Sequence, residues 1–137
     1  MALGMSITLR NSRLDKIRDA IDGGGSAGAV EIYTSPRPAT GGVPTGATLL
    51  ATLPFSKPSA PNASIGQAIY NAITPDASAD ATGTATWARL RDSAGSHVAD
   101  CTVSTIGGGG EMQFANVAFQ VGQQISLVNF VLTEGNV

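Results

Sequence analysis

The residues best equipped for chemistry are His97 and Cys101, the only histidine and the only cysteine in the chain. A thiolate activated by a neighbouring imidazole is a nucleophile, so this pair is the first to weigh. Both fall in one strand-like run, His97 to Ser104, where four residues at about 3.3 Å each set them roughly 13 Å apart. That is beyond hydrogen-bond reach. The plainer reading is a surface histidine beside a turn and a small buried hydrophobe. Gly23-Gly24-Gly25-Ser26-Ala27-Gly28 matches G-x-G-x-x-G literally. It follows a helical pattern and precedes a strand, however, the reverse of what phosphate binding at a helix N-terminus requires. It reads as a linker. The Gly107 to Gly110 run has no following Lys-Ser or Lys-Thr and reads as a flexible turn.

Asp76, Ser78, Asp80 and Thr82 alternate like the opening of a calcium loop. Glycine is missing at the sixth position, and Trp87 stands where a bidentate glutamate belongs. One histidine and one cysteine leave no zinc set within a single chain. None of the ten carboxylates sits in an aromatic setting suggestive of glycoside chemistry. No catalytic residue, cofactor-binding residue or metal ligand is assigned, and the chain reads as a non-enzyme without a cofactor.

The elements that position these residues are mostly strands. From Asn11 to Asp22, Leu14, Ile17, Ala20 and Ile21 recur at three- and four-residue steps, opposite Arg13, Lys16, Arg18 and Asp19. This predicts one amphipathic helix, capped by Asn11 or Ser12 with Asp15 completing a capping box, and ended by the Gly23 to Gly25 run. After Gly28, short apolar or β-branched runs alternate with Gly, Pro, Asn and Asp, the pattern of a β sandwich or barrel. The expected strands are Ala29 to Thr34, Thr48 to Leu53, Ile65 to Ile73, Thr84 to Arg91, His97 to Ser104, Met112 to Phe119 and Ile125 to Thr133. Thr84 to Arg91 and His97 to Ser104 flank a turn with Gly95 and should pair antiparallel. Trp87, the only tryptophan, shares a face with Ala85 and Arg89 and is expected to be buried. The last strand is apolar on both faces except at Asn129, so it is either central or covered by another subunit. With strands so dominant, the helix either packs on an edge or reaches out as an arm.

At 137 residues the chain has room for one compact domain, with residues 1–25 an N-terminal arm and helix and residues 26–137 the β domain. Charged residues are only 13% of the total, about half the usual share. The surface must then be largely Ser, Thr, Asn, Gln and Gly, which repels a neighbouring subunit weakly. A formal net charge of -2 gives no basic footprint for nucleic acid. No apolar stretch approaches the roughly 18 residues of a spanning helix, and the N-terminus has no signal core, so a membrane is not expected and the chain should stay in the cytoplasm where it is made.

Several stretches resemble one family. These are Arg10-Asn11-Ser12-Arg13-Leu14-Asp15, Glu31-Ile32-Tyr33-Thr34-Ser35-Pro36-Arg37-Pro38, Leu49-Leu50-Ala51-Thr52-Leu53 and the run from Ser78 to Arg89. Phe130-Val131-Leu132-Thr133-Glu134-Gly135-Asn136 at the end fits as well. Together they resemble the jelly-roll decoration, or cementing, proteins of tailed-bacteriophage capsids. The resemblance implies a jelly-roll sandwich of about seven or eight antiparallel strands with one N-terminal helix. It also implies a virion location on the capsid surface, the major capsid protein as partner, self-association as a dimer rather than a trimer, and no enzymatic role. Leu9, Arg10, Arg13, Leu14 and Ile17 of the helix, with Arg37 by the proline turn, are the candidate capsid or subunit contacts. The alternatives are a phage tail, fibre or baseplate component that binds host receptor or glycan, and a small carbohydrate-binding or carbohydrate-processing β domain.

Overall fold

The structure is a computed structural model and describes residues 3 to 134, so Gly135 and Asn136 of the closing stretch lie outside the described residues. Helix α1 spans Ile7–Ile21 and starts at Ile7 rather than Asn11. Ser6 supplies the N-cap, its Oγ accepting from the Leu9 N–H at 3.2 Å, which leaves Asn11, Ser12 and Asp15 inside the helix. Three of the helix's polar side chains serve tertiary structure instead. Asn11 Oδ1 accepts from Gly66 N–H at 2.9 Å, Asp15 Oδ1 accepts from Ala63 N–H at 2.7 Å, and Arg18 donates to Asn62 Oδ1 at 2.7 Å. At the C-cap, both Asp22 oxygens accept from Ser59 N–H, at 3.1 and 3.0 Å. The helix thus runs as a brace along residues 59–66, a stretch interrupted by Pro61 that cannot satisfy its own N–H groups in a continuous ladder. Leu14 and Ile21 on its inner face are buried, and α1 packs on two strands of the sheet, so it is docked rather than extended as an arm.

Among the described residues nine strands follow: β1 Ala29–Tyr33, β2 Leu49–Pro54, β3 Gln67–Ile69, β4 Gly83–Thr84, β5 Trp87–Arg91, β6 His97–Thr105, β7 Met112–Phe114, β8 Ala118–Phe119 and β9 Asn129–Thr133. Seven form one sheet in the order β2-β1-β5-β6-β7-β9-β3, and β4 pairs with β8 in a separate ribbon. The β5–β6 hairpin forms as expected, Trp87 opposite Thr102 and Arg91 opposite His97. Four predicted strands are shorter, and the run from Thr84 divides, Thr84 joining β8 through β4 while β5 begins at Trp87. The run from Ile65 keeps only Gln67–Ile69, because Ile65 has a positive φ of 48° and turns the chain. Met112 to Phe119 divides between the large sheet and the ribbon. In the last run only Asn129–Thr133 stays in the sheet, while Ile125 bridges to Asp76.

The sheet is mixed, which corrects the expectation of a wholly antiparallel one. β7 runs parallel to β6, Val103 opposite Met112 and Thr105 opposite Phe114. A parallel return normally needs a crossover of a dozen residues or more, whereas here only residues 106–111 intervene. Glycine makes that short path possible. Gly107 and Gly109 have φ of 83° and 87°, and Gly110 lies so close to β6 that an added Cβ would sit 2.8 Å from Ser104 N and 3.0 Å from Thr102 O. The run is a built reversal, not merely a flexible turn. Gly28 is likewise packed rather than free as a linker would be, since a Cβ there would meet Arg91 O at 2.2 Å.

Cross-strand partners share a face, which sorts the centre of the sheet into two sides. Val30, Leu90 and Ala99, with Ile32, Ala88 and Cys101, line the side facing the main core, together with Leu14, Leu50, Phe114, Phe119 and Phe130. Glu31, Arg89 and Asp100, with Tyr33 and Trp87, line the other side. β9 lies between β7 and β3 rather than at the centre; Phe130 is buried, and Val131 and Leu132 are partly covered.

Candidate functional site

The second side of the sheet holds a polar lattice. Arg89 is buried on the central strand β5 and makes two hydrogen bonds to Asp100, Nε to Oδ1 at 2.8 Å and Nη2 to Oδ2 at 2.9 Å. Its guanidinium also lies 5.3 Å from the centre of the Trp87 ring, which stacks on Tyr33 at 4.6 Å. Trp87 donates its Nε1–H to Thr34 O at 2.8 Å, so both ends of the buried indole are accounted for. Alongside, Tyr33 donates its hydroxyl to Glu31, which pairs with Arg91. Burial, and next the Glu31 charge, push the Tyr33 hydroxyl above its ordinary pKa.

His97 joins this lattice because β6 is irregular. Arg91 faces His97 while Leu90 faces Ala99, so Val98 is the extra residue of a bulge. The bulge brings the His97 imidazole to the Asp100 side, Nε2 to Oδ1 at 3.2 Å. Burial alone would raise the Asp100 pKa, but the hydrogen bonds and charge of Arg89, with His97 adding to them, hold it below the usual carboxylate range. Arg37, Pro38, Ala39, Thr40 and Gly41 pass over His97 and enclose an open cleft of about 490 Å³ with His97 and Asp100. Gly41 is seated against the imidazole, where a Cβ would lie 2.6 Å from Cε1. Among the described residues Arg37, exposed at the rim, has no hydrogen-bond or ion-pair partner.

Cys101 belongs to the opposite face. It is buried in the main core, and burial pushes its thiol pKa up, away from the thiolate form. His97 and Cys101 are therefore separated by the sheet itself, which ends the nucleophile reading of the pair. The Asp76 carboxylate is also occupied: Oδ2 accepts from Thr52 N–H at 2.9 Å and Oδ1 from Ser78 N–H at 3.0 Å. Among the described residues no three His, Cys, Asp or Glu side chains lie together as a metal set.

A second surface lies where α1 braces the sheet edge. Ser64 and Gln67 exchange two backbone hydrogen bonds of 2.9 Å around Ile65 and Gly66, whose φ values are 48° and 76°. Positive φ at both central residues is the pattern of a type I′ turn. Ile65 occupies a position suited to Asn or Gly, at a cost of roughly 1–3 kcal/mol for a β-branched residue. Its side chain is nonetheless 77% exposed, and Ile69 is 59% exposed. Both line an apolar groove of about 300 Å³ with Pro61. Asn11 grips the adjoining Gly66, and Ile7, also exposed, sits one helical turn before it.

The six candidate contact residues separate on this geometry. Leu9 and Arg13 are exposed, and Arg13 pairs with Glu134 at 2.9 Å. Arg10 donates to Glu134 O at 3.1 Å and lies against Gly66, tying the helix to the end of β9. Leu14 is 1% exposed and Ile17 packs against the core, so Leu14 has no surface to offer a partner and is corrected to a core residue. Arg37 lies at the cleft, on the connection between β1 and β2 rather than on the helix. Sequence reasoning missed Arg89, Asp100 and Ile65. A lone arginine within the apolar run Trp87-Ala88-Arg89-Leu90 signals a buried, paired charge, and Ile65-Gly66 between polar residues signals a tight turn.

Among the described residues no helix is long and apolar enough to cross a membrane. Comparison with family models, with curated proteins and with solved structures finds no match for the chain.

Proposed function

We propose that this chain is a structural protein of a tailed-bacteriophage virion that binds the outside of the assembled capsid and stabilises it, without a catalytic step. The observation that supports it best is Ile65, a β-branched side chain held in a left-handed turn and left exposed beside Ile69. Strain of this kind persists where the surroundings enforce it for a use, and an exposed apolar anchor with a braced backbone suits burial in a partner. The lightly charged surface adds to this, because repeated contacts then require little desolvation of charge. The likeness of the quoted stretches to cementing proteins supplies the virion setting and the major capsid protein as partner, with a dimer as the unit that bridges neighbouring capsid subunits. On this reading the seven-stranded sheet and the β4–β8 ribbon form the layers of a jelly-roll-like sandwich that departs from the family pattern at the parallel β6–β7 step.

A protein that binds only the assembled shell stabilises it by mass action. Co-sedimentation of the purified chain with undecorated capsids tests the reading. The wild-type chain should sediment with the shells, and Ile65→Asn, which keeps the turn, should do so at least about tenfold more weakly, the loss of one anchor contact. Failure of the wild-type chain to co-sediment overturns the assignment, and glycan binding by the isolated chain would favour a tail or fibre role.

A further inference from the structure

We propose that the cleft between the 37–41 loop and β6 is an oxyanion site, which takes a phosphate or a carboxylate between Arg37 and His97. The proposal does not rest on the capsid reading, whose Ile65 groove shares no lining residue with this cleft.

The charges in the cleft do not balance. Among the described residues Asp100 is the only acid lining it, and its two oxygens are already engaged by the buried Arg89 and by His97 Nε2. Arg37 has no partner among the described residues. The cross-strand neighbour Arg91 is neutralised by Glu31, so it adds no free charge of either sign. A positive guanidinium and an imidazole therefore face an open volume of about 490 Å³ with no negative group left to answer them. Guanidinium binds oxyanions through paired N–H groups.

The geometry of His97 completes the site. Its Nε2 is held by Asp100 at 3.2 Å, which leaves Nδ1 for a ligand. When the ring is protonated both nitrogens donate, one to Asp100 and one to the oxyanion. The ring cannot turn freely, because Gly41 sits against it where a Cβ would lie 2.6 Å from Cε1. Thr40 and Gly41 both hold positive φ, 49° and 72°, which is what seats the loop over the imidazole. The position of the ring is therefore set before a ligand arrives.

His97 is the only histidine, so its imidazole signals in a proton NMR spectrum report the site alone. The full chain is titrated with inorganic phosphate, glucuronate and glucose. Phosphate or glucuronate should shift the His97 signals saturably, and glucose should leave them in place. Arg37→Gln, an exposed position, should weaken binding on the order of tenfold or more with the remaining amide spectrum unchanged. Equal affinity for phosphate and glucuronate would define a site for the free oxyanion, and tighter glucuronate binding a site for acidic sugars. No saturable shift, equal binding of neutral glucose, or an Arg37→Gln chain that binds as the wild type does, would overturn the proposal.

Discussion

Removing the Asp100 carboxylate should destabilise this protein far more than an ordinary surface acid would. The Arg89 and Asp100 side chains are 3% and 10% exposed, and the pair is bidentate. Asp100→Ala leaves a guanidinium on the central strand with no carboxylate, a loss of about 3–5 kcal/mol for a broken buried pair. Contact with the Trp87 ring at 5.3 Å offsets part of it, by about 0.5–2 kcal/mol, so a net loss of about 1–4.5 kcal/mol is expected. For a chain of this size that is a fall in Tm on the order of 10 °C. Arg89→Met together with Asp100→Ala should recover most of the loss, since the unpaired charge goes with the pair. Urea unfolding of the wild type, both single variants and the double variant measures the coupling. A double variant as unstable as the sum of the singles would refute the reasoning, as would Asp100→Ala within about 0.5 kcal/mol of the wild type. The pair also fixes a pH dependence. The folded pKa of Asp100 lies below its ordinary value, so its contribution is complete above the unfolded value of about 3.9 and fades as pH falls through the folded one. The gap between wild type and Asp100→Asn should accordingly narrow as the pH falls below about 3.9.

Other consequences are simpler to state. Asn11→Ala and Asp15→Ala should each cost about 1–2 kcal/mol, because the Gly66 and Ala63 N–H groups lose their acceptors; amide exchange should speed up at those two residues first. Gly110→Ala should destabilise by about 1–3 kcal/mol and disturb amide shifts on β6 and β7, since the added methyl meets Ser104 N and Thr102 O. Native Cys101 should resist thiol reagents at neutral pH and react on unfolding in urea, as follows from its burial and raised pKa.

The elements whose signal is local were legible in the sequence. The 3.6-residue period marked the helix from Asn11 to Ile21, short apolar or β-branched runs between Gly, Pro, Asn and Asp marked β1, β2, β5 and β6, and Gly95 marked the hairpin between the last two. Burial of Trp87 was expected of the only tryptophan in the chain. What the sequence could not show are events in which one segment answers another. The helix began at Ile7 because Ser6 capped it, and Asn11 and Asp15, good caps by type, were claimed by Gly66 and Ala63 across 55 and 48 residues. The β6–β7 pair became parallel because backbone could press on backbone at Gly110, a close approach that composition registers only as flexibility. The histidine that stood 13 Å from a cysteine on an ideal strand met Asp100 instead, since a bulge at Val98 shifted it by one residue. Residue types and periods therefore determined which segments are helix and strand and how little charge the surface bears. The tertiary structure decided which polar groups meet, because hydrogen bonds and ion pairs depend on ångström-scale approach between residues far apart in the chain.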